Sequence, residues 1–273
     1  MMAALKSEFT KTFTTRLWWI LALCMAGYVG LMALLMVGIL HFAPNDDPHM
    51  QAFFGPEQQA TLGYSMALLL GYIFPALVGG MTVTQEFRHQ TLTPTFLVEP
   101  RRGLVLSAKM MAAVPMGLTF ALIGVLSAGL GSSVFLAIVG QPTGLERAAT
   151  WELISRTLVA MTLWAVVGVG LGALIKNQVA VIVVVLATSQ LVEPTLRMLP
   201  SLTGRNMPVL DFLPSAAADS ITGQSIFNSM MSGTDIPGLS AGLPAWAGVL
   251  VLLAWGLVPA AIGHMTTMSR DVT

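Results

Sequence analysis

Charge is scarce in this sequence. Asp, Glu, Lys and Arg make up only 10% of its 273 residues, 55% are hydrophobic, and the mean hydropathy is +0.77. A water-soluble globular domain is excluded, because it could not hide that much apolar surface. Cysteine is almost absent: Cys24 stands alone, cannot form an intrachain disulfide, and reads as a small apolar packing residue. The 13 basic and 13 acidic residues cancel, and no basic patch with interleaved aromatics occurs, so nothing points to a nucleic-acid partner. A GxxxxGK phosphate loop is also missing.

What the chain has in abundance is long uncharged apolar runs, at 18–40, 61–84, 110–139, 157–175, 178–192 and 243–263, none of them containing Asp, Glu, Lys or Arg. Runs of this kind cross a hydrocarbon core about 30 Å thick as helices. The expected fold is therefore an all-α membrane protein with six transmembrane helices in a single domain, 1–273. The first run is too long, and followed by too many others, for a cleaved signal peptide. The fifth is short and meets Glu193-Pro194, so its outer end is expected to break or tilt. The third has room to bend at Gly129, Gly131, Ser132 and Ser133, and Pro75 offers a kink in the second.

Orientation follows from the cations, which collect on cytoplasmic loops. With the N-terminus inside, Lys6, Lys11, Arg16, Arg88, Arg101, Arg102, Lys109, Lys176 and Arg270 are cytoplasmic, and Arg147, Arg156, Arg197 and Arg205 are outside, a split of nine to four. The acids mirror it, with Glu8, Glu86, Glu99 and Asp271 inside. A multi-pass protein with both termini in the cytoplasm is expected.

Residues 1–17 read as an interfacial helix whose apolar stripe is Leu5, Phe9, Phe13 and Leu17, with Glu8 and Lys11 on the other side. Lys6 and Arg16 fall near the stripe and would snorkel, and Trp18 and Trp19 mark the membrane boundary. Outside, Thr143 and Glu146 have capping-box spacing ahead of Glu152 and Arg156, in a helix expected to continue into the fourth span. The largest outer segment, 200–242, is expected to carry one helix over 215–231, with Ile221, Phe227 and Met230 as apolar positions, dipping into or lying on the outer leaflet.

Between the second and third spans lies the longest charged inner loop, 85–109. Thr93 and Pro94 suit an N-cap and first helical position, so a short helix over 94–98 can form before Pro100 ends it. Phe96 and Leu97 would then be exposed apolar residues able to dock on a partner. The alternative is an ordinary positive-inside hairpin with a solvated charge cluster.

This stretch, Glu86-x-Arg88-x-x-Thr91 followed by Leu97, Pro100, Arg101, Arg102 and Lys109, resembles the loop between the second and third helices of the permease subunits of type-2 ABC exporters. Glu8-x-x-Lys11-x-x-x-Thr15-Arg16-x-x-Trp19 is similar to that family's N-terminal interfacial helix. Two positions depart from the pattern: Gln90 stands where the family commonly has Gly, and Pro94 interrupts the middle of the loop.

The resemblance implies a permease that pairs with a second permease chain as a homodimer and with two copies of a separate ATP-binding subunit. Each loop would place a coupling helix in a cleft on the ATPase. ATP and Mg would be bound in that partner, and this chain would hold no cofactor or metal and catalyse nothing itself. Carried over position by position, Glu86 and Arg88 would tie the second span to the loop. Thr91, Pro94, Phe96 and Leu97 would touch the ATPase, with Pro100, Arg101 and Arg102 leading back to the membrane. Lys11, Arg16, Trp18, Trp19 and Lys109 would be interfacial anchors. The implied location is the cytoplasmic (inner) membrane, and the implied activity is efflux of an apolar or amphipathic drug, lipid or peptide.

The rival is an ion-gradient-driven secondary transporter, which normally needs an ionisable group at membrane depth; the nearest, Glu193, stands at an outer end. No serine has a His partner at a recognisable spacing, which speaks against an intramembrane hydrolase. His41, Asp46, Asp47 and His49 lack helical ligand spacing and read as a solvated loop before a metal site. Gly168 and Gly172 form a small-xxx-small pattern, read as intrachain packing first and a dimer contact second.

Overall fold

The structure is a computed structural model and describes residues 2–42, 55–205, 207–224 and 242–268. Helices and the turns that join them make up these residues, with no strand among them, and six of the helices are long and apolar enough to cross a membrane. Of the outer metal candidates, Asp46, Asp47 and His49 lie outside the described residues, as do Phe227 and Met230.

A helix α1 (Met2–Thr14) leads into the first span, α2 (Leu17–Phe42). The second span is divided into α3 (Pro56–Gly71) and α4 (Ile73–Arg88), and the short α5 (Leu92–Val98) follows. The third span is α6 (Arg102–Ile138) and the fourth α7 (Ala148–Leu174). The fifth begins as α8 (Gln178–Ala187), widens into a π-turn over Thr188–Val192 and continues as α9 (Glu193–Arg197). After α10 (Leu199–Thr203) and a 3-10 turn over Pro208–Phe212 comes α11 (Pro214–Thr222), and the sixth span is α12 (Ala245–Gly263).

The second and fourth spans form the centre. About two-thirds of their apolar window, 67%, is buried, against 22–28% in the other four. Lipid offers no hydrophobic drive between helices, so close backbone approach has to hold them. A methyl group added at Gly168 of α7 would collide with the Ala76 carbonyl of α4, and one at Gly172 would press on Gly80. Gly170, on another face of α7, meets Gly256 of α12 in the same way. The small-residue pattern is thus an intrachain zipper. By contrast Leu118, Leu122, Leu126 and Leu130 form an exposed ridge along α6, as a lipid-facing surface requires. Cys24 is also exposed on α2, where packing had been expected.

Two prolines act differently on the spans that carry them. Pro75 has no N–H to give the Gly71 carbonyl, and its ring crowds that turn, so the second span breaks at Tyr72, one turn earlier. At Glu193-Pro194 the expected break does not occur. The backbone N–H of Glu193 reaches the Thr188 carbonyl, five residues back, and this wider turn makes room for Pro194 while the helix goes on to Arg197. The third span also runs unbroken through Gly129 to Ser133. There Gly131 lets α2 approach at Gly30, and Ser133 meets the Tyr64 hydroxyl at 2.8 Å, so the small polar residues serve packing.

The fourth span does absorb the preceding outer helix, with Glu152 paired to Arg156 one turn on, but it starts at Ala148. Thr143 and Glu146 therefore make no capping box; they belong to a turn in which the Tyr64 hydroxyl donates to the Thr143 carbonyl at 3.0 Å. The helix expected over 215–231 ends at Thr222, because Gly223 takes up the left-handed conformation (φ 70) and caps it. α11 packs against α12 and α7, and Ile221 is buried there.

Candidate functional site

At the end of the bundle that carries α1, four charged side chains close on one another. Lys109, in the second turn of α6, places its Nζ 2.7 Å from Glu8 Oε2 and 2.9 Å from Glu86 Oε1, and donates to the Thr82 carbonyl at 3.2 Å. Lys11 bridges the same two carboxylates, at 2.9 Å each. Two ammonium groups and two carboxylates make a neutral cluster, which is what allows such charges to leave water. Glu86 Oε2 is buried without a hydrogen-bond partner in the structure.

This geometry reverses part of the expectation. Glu8 and Lys11 were placed on the solvent side of α1, yet Glu8 is 5% exposed while Phe9 is 39% exposed. The polar face of α1 turns inward because its Glu8 carboxylate has the buried Lys109 to meet. Lys109, expected to reach headgroups, is fully buried and holds α1 and α4 to α6. Glu86 likewise ties α4 to α1 and α6. Lys11, about half exposed, is partly desolvated, but its hydrogen bonds and attraction to Glu86 and Glu8 outweigh that burial and raise its ammonium above the ordinary 10.5.

Around the cluster, Trp18 donates to the Phe13 carbonyl at 2.9 Å and meets the Phe13 ring edge-on, fixing the α1–α2 corner. Arg16 and Trp19 are exposed. Arg88 reaches Gln178 at 3.4 Å, and Lys176 lies over the Phe87 ring at 5.9 Å, so the corner between the fourth and fifth spans also closes on the end of α4.

α5 leaves this platform through Gln90, whose φ of 54 is the only positive value at a non-glycine among the described residues. Its side chain pays for a conformation that glycine takes freely. The helix starts at Leu92 with Thr91 at its cap, two residues before the expected start at Pro94, which fits within the first turn. Thr95 donates back to the Thr91 carbonyl at 2.9 Å. Phe96 lies under the Arg102 guanidinium at 5.1 Å, whereas Leu97 is 81% exposed. After Pro100 the chain turns on a 2.9 Å pair between Arg101 and Glu99, and that hydrogen bond holds the Glu99 carboxyl below its usual range. A cavity of about 740 Å³ opens between α1, the end of α4 and α5, with Glu8, Lys11, Glu86, His89 and Glu99 on its walls.

A second polar group, at the opposite end, was not foreseen. Glu193 is 3% exposed and accepts from both the backbone N–H of Ser215, at 2.7 Å, and its hydroxyl. Arg197 pairs with Asp219 of α11 at 2.8 Å, and the Tyr72 hydroxyl bonds Ser189. The sequence did carry a signal: Ser189, Glu193 and Arg197 recur every fourth residue and so share one helix face.

No protein-family model matches this chain, and a search of curated proteins returns no match.

Proposed function

We propose that the chain is the membrane subunit of an ATP-driven exporter, lying in the cytoplasmic membrane with the α1 end inside and moving an apolar or amphipathic compound outward. The observation that carries this reading is the exposed Leu97 on a short helix, standing on a platform clamped by the Lys109–Glu8–Glu86 cluster. In this reading α5 is the coupling helix, α1 lies in the inner interface with Arg16 and Trp19 toward headgroups, and two chains pair as a homodimer on two copies of an ATP-binding subunit. A push on α5 passes through 99–101 into α6 and through Glu86 into α4. The buried ion pairs keep those helix ends from yielding separately. The resident chemistry, ATP hydrolysis with Mg, belongs to the partner.

The test is co-purification with an ATP-binding subunit and measurement of hydrolysis in lipid vesicles. The double variant Phe96→Ala, Leu97→Ala is expected to lose most of the coupling while inserting normally and keeping its thermal unfolding midpoint. Unchanged coupling would sink the role given to α5.

The burial of Glu193 within the fifth spanning helix gives some support to a second reading, transport driven by an ion gradient. Transport that persists without nucleotide and collapses when the gradient is dissipated would establish it over the first.

A further inference from the structure

A cavity of about 320 Å³ opens in the half of the bundle away from α1, between α3, α7, the fifth span and α11. One wall is aromatic: Tyr72, at the break in the second span, and Trp164 of α7 stack with ring centroids 4.5 Å apart. Leucines of α3 and Leu153 supply apolar surface, and the Arg197–Asp219 pair closes the side toward α11. Those two charges cancel. Behind Ser215, which lines the cavity, stands the further carboxyl of Glu193, and Ser215 gives both of its bonds to Oε2 alone. Arg156 lies near Gly223, next in sequence to the lining residue Thr222, but is already paired with Glu152. Among the described residues, the immediate surroundings therefore offer one acidic group in excess beside two stacked electron-rich rings.

From this arrangement we infer that the cavity is a binding site for an organic monocation, a quaternary or protonated amine carried on a small aromatic or aliphatic body. The aromatic wall stands beside the cation, Glu193 supplies the field that the Arg197–Asp219 pair does not cancel, and the leucines take the apolar part. An organic anion of equal size gains the apolar contact but neither electrostatic attraction. The volume suits a compact ligand, not a whole lipid. The inference rests on the cavity alone and does not require an ATPase.

The test uses the full chain in lipid nanodiscs without nucleotide, titrated calorimetrically with benzyltrimethylammonium and, separately, with toluenesulfonate. One saturable site per chain is expected for the cation and none for the anion. Glu193→Gln is expected to weaken the cation about tenfold, equivalent to about 1.4 kcal/mol. Gln190→Trp, an exposed wall position that a larger ring would fill, is expected to weaken it at least as much with the fold intact. A cation that binds no more tightly than toluenesulfonate overturns the inference. So does an affinity untouched by Gln190→Trp, or by Glu193→Gln in protein whose unfolding midpoint is unchanged. Because no ATPase is present, failure here leaves the exporter reading standing, and failure of ATPase coupling leaves this site standing.

Discussion

Lys109 Nζ lies 2.7 Å from the carboxylate of Glu8, a residue 101 positions earlier in the chain, and no water-exposed path separates the two: the lysine side chain is fully buried. The N-terminal helix is thereby fastened to the third span by charge, whereas the second and fourth spans meet through small residues.

Removing one member of a buried ionic cluster strands the others. Lys109→Met should cost about 3–5 kcal/mol, because Glu8 and Glu86 would share only the half-exposed Lys11. Thermal unfolding in nanodiscs reads the loss. Adding Glu8→Gln to Lys109→Met should recover a large part of it, and a double variant no more stable than the single would show that the lysine acts through packing alone.

Gln90 occupies a left-handed backbone position, and Gln90→Gly should relieve it by about 1 kcal/mol. The α4–α5 corner would become harder to cut by protease. Faster cutting would mean that the greater freedom of glycine outweighs the relief of strain.

The approach of α7 to α4 leaves no room at Gly168, and Gly168→Ala is expected to destabilise by about 1–3 kcal/mol. Gly27→Ala is the control: no atom lies within 4 Å of the added methyl, and stability should hold or rise slightly. Equal effects at the two positions would argue against the zipper.

Lys11 gives a pH dependence whose sign is fixed. Its ammonium is raised above 10.5 in the folded protein, so its contribution is complete below 10.5 and fades as pH climbs through the higher folded value. The difference in unfolding midpoint between the wild type and Lys11→Met should therefore be constant at neutral pH and shrink in alkali. A difference that shrank toward acid from neutrality, with none lost in alkali, would contradict this origin.

The spans were legible because their signal is local. Crossing lipid requires a run of uncharged residues, and each of the six runs coincides with a helix of spanning length to within two residues at its apolar end, the helices extending further where Glu86, Lys109 and Glu152 were admitted. The short helix between the second and third spans was legible in part: Pro100 follows its end as expected, but it starts at Leu92 rather than Pro94. The site was only half visible. Every member of the ionic cluster had been singled out, but Glu8 was put on the solvent side of α1 and Lys109 was sent to the headgroups, and both are buried. Amphipathic periodicity says which residues share a face and nothing about which face turns inward.

By itself, then, the sequence determined a six-span helical membrane protein, because desolvating backbone and charge in hydrocarbon leaves few alternatives. Only the tertiary structure decided that α7 is central, that Pro194 is absorbed by a π-turn, and that Tyr72, Ser215 and Asp219 line one cavity with Glu193 behind Ser215. Those outcomes depend on which helices meet, and residues such as Glu8 and Lys109 acquire their partners across distances in sequence that no local pattern encodes.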